Sequence, residues 1–155
     1  LIDHSVEYVR ADEHRRIGTA RRSVKNFDFL LYAPLGRRII IEVKGRTFAG
    51  TSFIGLKGLE CWVTRDDVRG LGMWQKAFGT AHEAAFAFAY RVRNVDVDFD
   101  GRDALCLASN HYVFLCVRLE DYQRYMRQRS PRWQTVTLSA EHFRRCALDL
   151  STLLQ

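Results

Sequence analysis

Residues 24–48 read VKNFDFLLYAPLGRRIIIEVKGRTF, and this stretch decides the fold. Two apolar segments, 24–32 with its Phe, Leu and Tyr and 38–48 with the β-branched run Ile39-Ile40-Ile41, flank Ala33-Pro34-Leu35-Gly36, which has turn chemistry. The pattern predicts an antiparallel hairpin. If the strands fold symmetrically about Leu35, paired residue numbers add to 70, so Tyr32 faces Arg38, Leu30 faces Ile40 and Asp28 faces Glu42. Side chains alternate along a strand, which puts Lys44 on the same face as Glu42, one step of two residues on. The isoleucine run implies burial on both faces, where a charged side chain needs a reason.

Directly opposed residues in such a pair have Cβ atoms about 4.5–5.5 Å apart, and like charges there destabilise the sheet. A hard divalent cation offsets the repulsion, because Mg²⁺ accepts carboxylate oxygens, keeps several waters and holds a phosphate at the same time. Asp28 and Glu42 are therefore candidate metal ligands. The Lys44 ammonium is a candidate for stabilising charge on the phosphate or orienting an attacking water. Metal-assisted phosphodiester hydrolysis is the chemistry this set points to. By the same reasoning, removing either carboxylate should relieve repulsion and leave the metal-free protein equally or more stable.

Outward from the hairpin, residues 6–9 suit a short strand and 12–22 a helix capped by Asp12. A glycine-rich connection, 50–58, and an apolar run, 59–63, follow. Thr64-Arg65-Asp66-Asp67 then matches a capping box, with Leu71, Trp74 and Phe78 at helical spacing and Gly79-Thr80 as the stop. Residues 83–92 alternate Phe86, Phe88 and Tyr90 with Ala85, Ala87 and Ala89, a central strand whose small side receives a helix. The Asp-rich segment 94–103 is a loop. It resembles a calcium loop through Asp96, Asp98, Asp100 and Gly101, but Leu107 stands where the closing glutamate belongs. A strand at 111–118, a helix at 120–129 ended by Ser130-Pro131, a strand at 134–138 and a helix from the Ser139 cap to about 150 complete the chain. The alternation makes an α/β (α+β) fold, one domain spanning 1–155 on a mixed sheet.

Asp28, a gap of 14 residues, then Glu42-Val43-Lys44, each with apolar strand residues around it, resembles the signature of the PD-(D/E)xK nuclease superfamily, which includes restriction endonucleases and archaeal Holliday-junction resolvases. Phe27 stands where the nominal motif has proline. The resemblance implies a restriction-endonuclease-like αβββαβ core with an additional C-terminal strand and helices. It also implies Mg²⁺ or Mn²⁺ on Asp28 and Glu42, Lys44 at the scissile phosphate, and a supporting Gln75 from Trp74-Gln75-Lys76 in the following helix. The family's first helix often adds an acid, for which Glu7 and Glu13 are both candidates. A metal-dependent nuclease acting on DNA follows as the expected function, and a homodimer is admitted. The alternative is a nuclease-fold module without turnover that binds nucleic acid or another partner.

Composition agrees with an anionic partner. The 155 residues carry 24 basic against 18 acidic side chains, a formal charge of +6, and Arg supplies 20 of the 24; guanidinium forks match phosphate geometry and stack on bases. Arg124, Arg127, Arg129 and Arg132 form a basic run that either is a solvated face or tracks a nucleic-acid backbone; Trp62, Trp74 and Trp133 read as core residues, with base stacking as the alternative for Trp133, which stands beside Arg132 in a turn. No apolar run approaches the roughly 18 residues of a membrane helix, so no membrane partner is expected. Cys61, Cys106, Cys116 and Cys146 form no CxxC pair and read as buried, reduced thiols of a cytoplasmic protein without structural zinc. His4, His14, His82, His111 and His142 show no metal spacing.

Overall fold

The computed structural model describes residues 6–11 and 25–155. Strands β2 (Phe29–Tyr32) and β3 (Arg38–Phe48) form the expected hairpin, in the register Phe29↔Ile41, Leu30↔Ile40, Leu31↔Ile39 and Tyr32↔Arg38. The short strand β1 (Glu7–Arg10) pairs antiparallel with β2. The helix expected at 12–22, and Glu13 within it, lie outside the described residues.

After β3 the chain crosses through β4 (Val63–Thr64) and helix α1 (Arg65–Phe78) to β5 (His82–Val92), which lies parallel to β3 along its whole length. A parallel neighbour requires such a crossover. The capping box forms as the sequence predicts, with Thr64 accepting from the Asp67 N–H and Asp67 accepting from the Thr64 N–H. At the other end Gly79, at φ 89°, takes the backbone out of the helix in a conformation that disfavours other residues.

Strands β6 (Ala104–Leu107), β7 (Asn110–Arg118) and β10 (Leu148–Asp149) complete a mixed sheet in which β5 pairs β7, and β7 pairs β6 and β10. The alternation in β5 works as read. Phe86, Phe88 and Tyr90 enter the larger core beneath α1, α2 (Leu119–Tyr125) and α3 (Ala140–Cys146), while Ala85 and Ala87 face Leu153 and Leu154 of α4 (Leu150–Leu154). Tyr122 anchors α2 by donating its buried hydroxyl to the Cys61 and Val136 carbonyls.

Four expectations are corrected. Helix α2 ends at Tyr125 instead of running to 129, and β8 (Arg127–Ser130) follows, pairing with β9 (Thr135–Thr137) in a small sheet ordered β4-β9-β8. Arginine tolerates a helix well, but the free edge of β9 offers backbone partners that outweigh a weak local preference. The helix expected to run to 150 is divided by β10, because residues 148 and 149 complete the ladder against Cys116 and Leu115. Strand β6 is the third difference, since no element was expected between the loop ending at 103 and the strand starting at 111. Cys106 stands exposed on that edge strand, whereas the other three cysteines are buried.

Candidate active site

Strand β3 carries Glu42 and Lys44 on the face turned towards α1. The neighbours of Glu42 on that face are Ile40, which belongs to the larger core, and Lys44, whereas Ile39 and Ile41 face the other core. The Glu42 side chain is only 8% exposed. Its Oε1 accepts from Lys44 Nζ at 2.7 Å and lies 3.3 Å from Lys25 Nζ. Lys44 Nζ is also 3.1 Å from Asp67 Oδ1, and Lys25 Nζ hydrogen-bonds to that same oxygen. Two acids and two lysines thus close a ring, Glu42 to Lys44 to Asp67 to Lys25 and back.

Each member is placed by local structure. Asp67 sits at the third position of α1, and the capping box commits its Oδ2 to the Thr64 N–H at 2.8 Å, which aims Oδ1 at the lysines. Lys25 is held against α1 through its backbone, whose carbonyl accepts from Trp74 Nε1 at 2.9 Å. Gly70 allows that approach, since a Cβ there would stand 3.2 Å from the Lys25 carbonyl oxygen. The Lys25 side chain is half exposed, and those of Lys44 and Asp67 are largely buried.

Burial acts on each charge, and the partners decide the outcome. Burial raises the Glu42 pKa above the ordinary carboxylate value, with Lys44 opposing it. Burial opposes ionisation of Asp67 too, but the hydrogen bonds from Lys25 and Thr64 and the charge of Lys44 prevail and bring it down to about 2. Lys25 loses solvation, yet Asp67 and Glu42 hold its pKa above the usual lysine value. A carboxyl whose folded pKa lies below its unfolded one stabilises the fold above the unfolded value and ceases to do so as pH falls through the folded value. From 3.8 to about 2 this is worth about 2 kcal/mol. Wild type should therefore melt above Asp67→Asn at neutral pH, and the gap should close between about pH 4 and pH 2; a constant gap in melts across that range would refute the ionic role.

Asp28 departs from the expected pairing. The ladder stops at Phe29↔Ile41, and Asp28 lies in a bend, its N–H donating to the Ile41 carbonyl at 2.9 Å and its Oδ2 accepting from the Val43 N–H at 2.7 Å. With β2 ended, that N–H has no strand partner, and the carboxylate supplies one. Asp28 lines a depression with Tyr8, Arg10, Phe29 and Val43, whereas Glu42 lines a separate one with Lys25, Asn26, Phe27 and Asp67. The Asp28 charge still reaches Glu42 and contributes to raising its pKa.

Gln75 is not brought to this cluster: its Nε2 donates to the His82 carbonyl at 3.2 Å, tying α1 to the start of β5. Glu7 is exposed on β1 opposite Tyr32. Sequence reasoning read Asp67 only as part of a capping box and assigned Lys25 no role in the site. The capping box was the available signal, since it fixes where the third residue of α1 points.

The available donors decide whether a metal fits. Among the described residues, no three His, Cys, Asp or Glu side chains converge. Asp28 and Glu42 each engage one carboxylate oxygen in the contacts above, a hard oxygen donor on either side of β3 residue Val43, although the two side chains line separate depressions. That suits Mg²⁺, which binds through one or two carboxylates and retains water.

No family model and no curated protein matches the chain by sequence. Its structure does match: it is similar to a Holliday junction resolvase from the archaeal hyperthermophile Archaeoglobus fulgidus, with a TM-score of 0.54 and 13% identity, over 99% of this chain and 85% of the resolvase chain. The chain thus shares the fold of that resolvase, the restriction-endonuclease-like architecture expected from the sequence.

Proposed function

We propose that this chain is a divalent-metal-dependent nuclease hydrolysing phosphodiester bonds in DNA. The observation that carries the reading is the buried Glu42 with Lys44 Nζ at 2.7 Å, on the central parallel strand pair of a nuclease fold. Asp28 and Glu42 would hold Mg²⁺ or Mn²⁺, which when bound supplies a Lewis acid and an activated water. Lys44 presents a fixed ammonium to the negative charge that grows on the phosphate, and Asp67 keeps that ammonium in place. Lys25, half exposed beside it, adds a second positive charge at the edge of the site. Gln75 acts at a distance, by holding the start of β5.

The closed ring favours a second reading. Two lysines already balance the charge of Glu42 without a metal ion, as in a binding module that has no turnover. Incubating supercoiled, linear, single-stranded and branched DNA with the protein in Mg²⁺, Mn²⁺ or EDTA separates the two. The nuclease reading expects cleavage only with metal and a higher melting temperature in its presence. Absence of both effects on every substrate would leave the binding module.

A further inference from the structure

Trp133 is 67% exposed, on the turn that joins β8 to β9. Its position is fixed. The Trp133 N–H donates to Ser130 Oγ at 3.3 Å, and Gln134 bonds back to the Pro131 carbonyl through its backbone N–H at 3.3 Å and through Nε2 at 2.7 Å. The Arg132 guanidinium carbon lies 5.2 Å from the centre of the Trp133 ring. A large apolar surface held open to solvent, with a cation beside it, is what a nucleobase stacks on.

Two lines of contact lead from this turn to the cluster around Glu42. The Arg65 N–H donates to the Gln134 carbonyl at 2.9 Å, which pins the turn to the first residue of α1, and the third residue of that helix is Asp67. Along β3, Arg46 follows Lys44 on the same face and places its guanidinium 4.2 Å from the Trp62 ring centre. Arg129 covers the same ring at 5.1 Å. It reaches there because the β8 ladder skips from Gln128↔Val136 to Ser130↔Thr135, and such a bulge re-aims the extra side chain. Cationic groups therefore run from Lys44 through Arg46 and Arg129 to Arg132.

We infer that Arg132 and Trp133 form a subsite for an unpaired nucleotide, the base stacking on the indole while its strand follows the arginines towards Lys44. A duplex hides its base faces within the stack, so an indole finds one only where a strand is single or branched. The substrate class is accordingly DNA with unpaired nucleotides beside the cleaved bond. This inference rests on the nuclease reading for its DNA, and on Trp133 and its neighbours for the subsite.

The test is a binding titration in EDTA, where no strand is cut, of labelled single-stranded DNA and a blunt duplex against wild type, Trp133→Ala and Trp133→Phe. Trp133→Ala should bind the single strand about 5- to 150-fold more weakly, the usual loss for one stacked base, with duplex binding nearly unchanged. Trp133→Phe should retain most of the affinity. Both variants should melt with wild type, since the ring is exposed. Equal weakening on both DNAs, or none on either, would overturn the subsite while leaving the nuclease reading intact. Failure of wild type to bind either DNA would remove the nucleic-acid reading and the subsite together.

Discussion

Lys44→Ala is expected to slow single-turnover DNA cleavage by about 100- to 1000-fold, the loss typical of removing one preorganised group that acts on developing charge. Mg²⁺ should still raise the melting temperature of this variant, because an ammonium is not a metal ligand. Asp28→Ala and Glu42→Ala should lose cleavage and the metal-induced shift together. These patterns separate the roles of the three side chains. Cleavage by Lys44→Ala at the wild-type rate would remove the ammonium from the mechanism, and an undiminished Mg²⁺ shift in Glu42→Ala would remove that carboxylate from the metal site. Arginine is no substitute here: its planar fork does not fit the place of a compact ammonium between Glu42 and Asp67.

The second large effect falls on stability. Asp67→Ala removes the acceptor of the Thr64 N–H, a cap worth about 1 kcal/mol, and leaves the largely buried Lys44 and the half-exposed Lys25 balanced by Glu42 alone. Breaking a buried pair costs about 3–5 kcal/mol, and the exposure of Lys25 screens part of that, so a total near 3 kcal/mol is expected. For a chain of this length the melting temperature should fall by about 6–12 °C. Asp67→Asn keeps an oxygen for the Thr64 N–H and should recover the cap but not the ionic part. A loss below about 1 kcal/mol in Asp67→Ala would reduce the residue to its cap.

The same ring reverses an expectation about Glu42. Opposition of Asp28 and Glu42 implied that removing one acid would stabilise the metal-free protein. Glu42 instead offsets Lys44 and Lys25, and Asp28 has turned to the Val43 N–H. Glu42→Ala relieves a buried carboxylate but leaves Lys44 and Lys25 to Asp67 alone, so the gain in metal-free stability expected from relieved repulsion should not appear.

Much of the frame was legible along the chain. The isoleucine run, the turn at Pro34 and Gly36 and the alternation in β5 are local patterns tied to burial, and they gave β2, β3 and β5 their places, with the hairpin register correct to the residue between 29 and 41. The Thr64 capping box gave α1 its start because both hydrogen bonds lie within four residues. Segments decided by distant partners were misread. Arg127–Ser130 is a strand because β9 lies beside it, and Leu148–Asp149 because β7 does.

The candidate site divides along the same line. Sequence by itself determined that Glu42 and Lys44 share one strand face and that a charge there is buried, because the period of a strand is two and its neighbours are isoleucine. Only tertiary structure decided that Asp28 leaves the ladder, that Gln75 faces His82, and that Asp67 and Lys25 join Glu42 and Lys44. Those outcomes depend on how α1 lies across β3 and on which backbone N–H lacks a partner where β2 ends. Neither is encoded in the spacing of residues, since both arise from contacts between segments far apart in the chain.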